Sequence, residues 1–93
     1  RGKVETEAGR SMPRKRWPTW WDWELELSPH VLKRMVDRGF SEVELLAMLE
    51  GASKWRRDVA PGRWVIETRH KKRPWEVIVE PDVEMELLVV ITA

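Results

Sequence analysis

The sequence predicts an α+β domain in which an N-terminal helical hairpin packs on one face of an antiparallel sheet of four to five strands. Three observations carry that expectation. A strand-like alternation ends near Leu27. Two helix patterns then run back to back from Ser28 to Gly51. Four short apolar or alternating runs, separated by turn residues, fill the rest. Strand, helix pair and meander in that order put helices on one side of an antiparallel sheet.

The elements follow in chain order. Residues 1–16, RGKVETEAGRSMPRKR, show no apolar periodicity and read as a flexible basic linker ahead of a single domain over 17–93. The segment 17–27, WPTWWDWELEL, holds four of the seven tryptophans. From Trp21 it alternates, with Trp21, Trp23, Leu25 and Leu27 opposed to Asp22, Glu24 and Glu26, the pattern of a half-buried strand. In so small a domain the tryptophans suit core packing or docking onto a partner better than stacking on bases.

Ser28 is a favourable N-cap and Pro29 suits the first helical position. Val31, Leu32, Met35 and Val36 form an apolar stripe, and Gly39 stops the helix. Ser41 opens a second helix, with Glu44 completing a capping box and Phe40 and Leu45 placed as a hydrophobic staple. Val43, Leu45, Leu46, Met48 and Leu49 supply its buried face, and Gly51 stops it. Trp55–Val59 is a short strand. Arg63–Arg69 and Trp75–Glu80 form a hairpin. Pro81-Asp82 turns the chain, and Glu86–Thr92 is the last strand, whose run LLVVI suits a position covered on both faces.

Composition narrows the function classes. Cysteine is absent, which excludes a disulfide scaffold and thiolate metal sites. No apolar run reaches the length of a membrane span, and no signal-peptide pattern opens the chain. Arg1 is not an initiator and the chain stops inside an apolar run, which predicts a piece of a longer protein. The net charge of +1 conceals segregation. Residues 1–16 carry six Lys/Arg against two Asp/Glu, and residues 54–74 carry eight against two. Residues 17–53 carry three against seven, and residues 75–93 carry five acids and no base. Two basic segments keep a polyanionic partner open, although a solvated mixed-charge surface has the same signature.

The candidate chemistry lies at three places. His30 falls in the first turn of the first helix, and Arg34 and Arg38 follow at four-residue intervals near the same face, close to Asp37. A helix N-terminus disfavours an imidazolium and attracts anions, so a largely neutral His30 suits a general base. Taken alone, a boundary histidine beside solvated arginines is the plainer reading. The hairpin tip, ETRHKKRPW, gathers Arg69, His70, Lys71, Lys72 and Arg73. A guanidinium at a strand end can hold a phosphate bidentately, whereas Lys71 and Lys72 suit steering or plain solubility. Thr92 closes the last strand with a hydroxyl able to donate to a phosphate oxygen.

Other site types lack support. There is no glycine-rich phosphate loop and no HExxH spacing, two distant histidines make a poor metal site, and no motif supports a Ser-His-Asp triad. No cofactor is expected. Two histidines, several arginines and a threonine suit metal-independent RNA cleavage, in which the 2′-hydroxyl of the substrate is the nucleophile.

The run SPHVLKRMVDRGFSEVELLAML, then GRWVIETRHKKRPWEVIVEPD, then LLVVITA, resembles small prokaryotic toxin domains of the barnase–EndoU–colicin D–RelE ribonuclease group, over about residues 27–93. These are often C-terminal pieces of contact-dependent or Rhs-type polymorphic toxins. The resemblance implies an endoribonuclease, often cutting tRNA to a 2′,3′-cyclic phosphate. It implies delivery from a bacterial producer, action in the target-cell cytoplasm, and neutralisation by a cognate immunity protein. The protein would then be a monomer or a toxin–immunity heterodimer. The same resemblance points to His30 as acid/base, with His70 as a second candidate, to Arg38, Arg69 and Arg73 as phosphate contacts, and to Thr92 as an active-site hydroxyl. Related nucleases commonly place a tyrosine near the end of the last strand, and this chain has none. The alternatives are a non-catalytic nucleic-acid- or protein-binding module, and an immunity or antitoxin protein, against which the basic middle segment argues.

Overall fold

The structure, a computed structural model, describes residues 17–93, and the linker expected over 1–16 lies outside them. A 3-10 turn over Thr19–Asp22 leads into β1 (Glu24–Leu27), α1 (Pro29–Arg38) and α2 (Glu42–Glu50). Then come β2 (Lys54–Arg57), β3 (Trp64–His70), β4 (Arg73–Asp82) and β5 (Leu87–Thr92). The α+β class is as expected. The five strands stand in the order β1-β5-β4-β3-β2.

The expected antiparallel sheet is corrected. The sheet is mixed, because β1 runs parallel to β5, with Leu25 beside Leu88 and Leu27 beside Val90. Alternation in a strand specifies which residues share a face and carries no information about the direction of the neighbour. The two helices sit on the sheet, α1 chiefly on β5 and α2 chiefly on β3. Their buried residues Val31, Leu45, Met48 and Leu49 join one core with Ile66, Val77, Val79, Leu88 and Val90 of the sheet. Leu32, Val36, Val43 and Leu46, expected on the buried stripes, are instead exposed. Trp20, Trp21, Trp23, Trp55, Trp64 and Trp75 pack half-buried against the core.

The caps explain where the helices lie. The Ser28 hydroxyl accepts from Val31 N–H at 3.1 Å and donates to the Ile91 carbonyl at 2.9 Å. Ser28 N–H donates to the Val90 carbonyl at 3.1 Å. One serine thus caps α1 and ties it to β5. Ser28→Ala is expected to cost about 1–2 kcal/mol, read by denaturant unfolding, because it removes the cap and the tie together. Gly39 ends α1 in the left-handed region at φ 73. Ser41 and Glu44 make the expected capping box. The C-terminal end of α2 is held by the buried Thr68, whose hydroxyl donates to the Met48 carbonyl at 2.6 Å.

Two irregularities shape the end of the sheet near the β3–β4 turn. That turn consists of Lys71 and Lys72 alone, both at positive φ (54 and 68), the geometry that matches strand twist. The strands therefore run on to His70 and from Arg73, past the expected limits at Arg69 and Trp75. The other is a bulge. Val79 pairs with Val90 but Ile78 pairs with Thr92, which leaves Ile91 extra. Simple alternation would send Thr92 inward with Leu88 and Val90; the bulge turns it to the face that carries Ile78.

Candidate functional site

The register pairs β4 with β5 only from Ile78 onward, so Arg73–Val77 extend beyond the end of β5. An open cleft of about 810 Å³ lies at that step. Arg34 and Arg38 reach it from α1, Glu67 and Arg69 from β3, Arg73, Trp75 and Glu76 from β4, and Thr92 from the end of β5.

Five of the expected site residues meet there: Arg34, Arg38, Arg69, Arg73 and Thr92. Four do not line the cleft. His30 is exposed at the start of α1, eight residues or about 12 Å of helix from Arg38. His70 is half-buried on the helix-bearing face, its ring 5.1 Å from Trp75 and 6.1 Å from Phe40. Lys71 and Lys72 are exposed in the turn.

Two cleft carboxylates are not among the residues the sequence singles out. Glu67 and Glu76 stand directly opposite each other across β3 and β4. Like charges so placed repel unless something bridges them. Arg56 of β2 does so, donating from Nε to Glu67 at 2.8 Å and from Nη2 to Glu76 at 2.9 Å. The bond from Arg56 holds the Glu67 carboxyl below its usual range, against a smaller opposing effect of burial, with Lys54 and the Arg56 charge adding to the lowering. Reciprocally, the bond to Glu67 raises Arg56. A signal existed: Glu67 alternates with Arg69 on one strand, so both face one side. The partner Glu76 needed the register of the hairpin.

The arginines are held differently. Arg69 donates from Nη1 to the Lys72 carbonyl at 3.1 Å, which anchors it over the turn. The Arg38 guanidinium lies 5.8 Å over the Trp75 ring, a cation–π contact. Arg34 Nε and Trp75 Nε1 are buried donors with no acceptor among the described residues. An unmatched buried donor costs about 1–3 kcal/mol, so two among the residues of one cleft call for an explanation.

Among the described residues no three His, Asp or Glu side chains group as metal ligands, and no helix is long and apolar enough to cross a membrane. A family model described as a domain of unknown function, DUF4258, matches residues 27–93. The chain belongs to this family. No curated protein and no solved structure matches it. The DUF4258 description assigns no activity, so function rests on the cleft. The four guanidinium groups there can bind anions, and an Arg56-bound carboxylate can accept a proton.

Proposed function

We propose that this DUF4258 domain is a metal-independent endoribonuclease. The observation that carries the reading is the convergence of Arg34, Arg38, Arg69 and Arg73 on one open cleft that also holds Thr92 and the Glu67–Glu76 pair. A carboxylate of that pair takes the 2′-hydroxyl proton. The 2′-oxygen bonds to phosphorus, the bond from phosphorus to the 5′-oxygen breaks, and the leaving oxygen takes a proton from water. The products are a 2′,3′-cyclic phosphate and a 5′-hydroxyl. Arginines stabilise the negative charge that builds on the phosphorane, and Thr92 donates to one of its oxygens. The acid–base role thereby passes from His30, which does not line the cleft, to the carboxylates.

In this reading the domain is a polymorphic-toxin tip delivered from a bacterial producer. It acts on tRNA in the target-cell cytoplasm and pairs with a cognate immunity protein. The resemblance of residues 27–93 supports that context. The exposed apolar side chains Leu32, Val36 and Val43 on the helices offer surface to a protein partner.

The purified domain is expected to cleave tRNA in EDTA and to leave cyclic phosphate ends. Affinity for single-stranded RNA should fall with salt at a log–log slope of about −3, the value for four phosphate contacts. Arg69→Gln combined with Arg73→Gln should bring that slope to about half. Intact RNA at high protein concentration would overturn the proposal.

A further inference from the structure

We infer that Trp75 and Arg34 form a phosphate seat on the α1 side of the cleft, in which the indole N–H and the Arg34 Nε–H donate to the non-bridging oxygens of one phosphodiester. The inference deepens the RNA reading and rests on it for the identity of the strand.

Trp75 has little left to offer except its N–H. One ring face carries the Arg38 guanidinium, and Phe40 and His70 meet the ring edge-to-face at 5.9 and 5.1 Å. A base would need a free face on which to stack. The indole nitrogen and Arg34 Nε are unmatched and both side chains line the cleft, which also receives Arg38. Every polar atom that these three side chains present is a donor. The complementary ligand therefore offers acceptors and no donors, which describes an oxyanion. A base edge mixes both and would leave its own donors facing N–H groups. Arg69 and Arg73 continue the same cleft toward the hairpin, so the oxyanion is one of a series, as in a nucleic-acid strand.

The two donors are covered in this arrangement. Arg38 is exposed and rests on Trp75. A phosphate that draws the Arg38 guanidinium toward itself uncovers the indole N–H and lets Arg34 turn its Nε outward. Arg38 then acts as a cover that the ligand displaces.

Isotope-labelled protein gives one indole N–H resonance for each of the seven tryptophans, and Trp75→Phe identifies the resonance of Trp75. On titration with inorganic phosphate, and with a 2′-O-methyl oligoribonucleotide that cannot be cleaved, that resonance should shift and saturate. Trp75→Phe keeps a ring under Arg38 but removes the N–H, and should weaken oligonucleotide binding about tenfold. Arg34→Lys keeps the charge but removes Nε, and should weaken it comparably. The wild-type titration needs no variant to fold once the resonance is assigned. A Trp75 resonance unmoved at saturation, or undiminished binding by both variants, overturns the inference. If RNA is cut while both variants bind normally, only this inference falls. If the resonance responds but no RNA is cut, the seat stands and the nuclease reading falls.

Discussion

Glutamine at one of the two cleft carboxylates, Glu67→Gln or Glu76→Gln, is expected to lower kcat for RNA cleavage by about 10²- to 10⁴-fold, the usual contribution of a general base. Glutamine keeps the shape and an acceptor for Arg56 but cannot take up a proton at neutral pH. These ion pairs are exposed, so their loss disturbs folding little and the effect reads as chemistry. His30→Ala should leave kcat within about threefold, as the side chain is remote from the cleft. The pH dependence sharpens the test. A base works when deprotonated, and Arg56 holds Glu67 below the usual carboxylate range. The acidic limb of kcat/KM against pH should therefore fall below that range, and Arg56→Gln should move it up. The sign for stability is the same. Glu67, and Glu44 through the Ser41 backbone N–H, have depressed values when folded. The stability they contribute is present above the unfolded value and is lost as pH falls through the folded one. Circular dichroism at each pH separates unfolding from loss of catalysis. Wild-type rates in both glutamine variants would remove the carboxylates from the mechanism.

Local elements were legible wherever one residue decides a backbone event. Ser28, Gly39, Ser41 and Glu44 mark the helix ends by chemistry that acts within a few residues, and each does so in the structure. Faces were harder. Leu32, Val36, Val43 and Leu46 fit a helical stripe, yet each short helix touches the sheet along a narrower line than its apolar residues span. The parallel pairing of β1 was illegible, because the same alternation serves either direction and the choice depends on where β5 arrives after the whole meander.

The site was legible as charge and illegible as register. Arg69 and Arg73 stood out in ETRHKKRPW, and helical spacing linked Arg34 to Arg38. The same spacing drew in His30, but a face shared over two turns still covers more length than one cleft. Glu67 and Glu76 sit nine residues apart in sequence and become neighbours only through the two-residue Lys71-Lys72 turn. Thr92 stands out in the sequence by its hydroxyl, while its outward direction comes from the extra residue at Ile91, which no local pattern announces. Unmatched donors such as Trp75 Nε1 exist only as a relation to the atoms around them.

Ile66→Ala is expected to cost about 2–5 kcal/mol and to lower Tm by roughly 10–30 °C. Ile66 is fully buried in β3, between Trp55 and Val77 in the register, on the face covered by the helices. Removing its outer carbons leaves a cavity that strands paired on both sides cannot close. A small domain has on the order of 5–15 kcal/mol in total, so this single change removes a large share. Val65 supplies the control. It is nearly as buried, but it points to the opposite face, between Arg56 and Ile78, outside the main core. Val65→Ala should cost about 1.5 kcal/mol, the transfer value of two methyl-sized groups, because long flexible side chains can settle over the gap. Chemical denaturation of the two variants measures the difference directly. An equal loss would mean that the open face is a second packed layer, and that the cleft carboxylates beside Val65 are held by packing as much as by Arg56. A loss confined to Ile66 would leave Arg56 as the principal restraint on Glu67 and Glu76, which is what its role in the cleft requires.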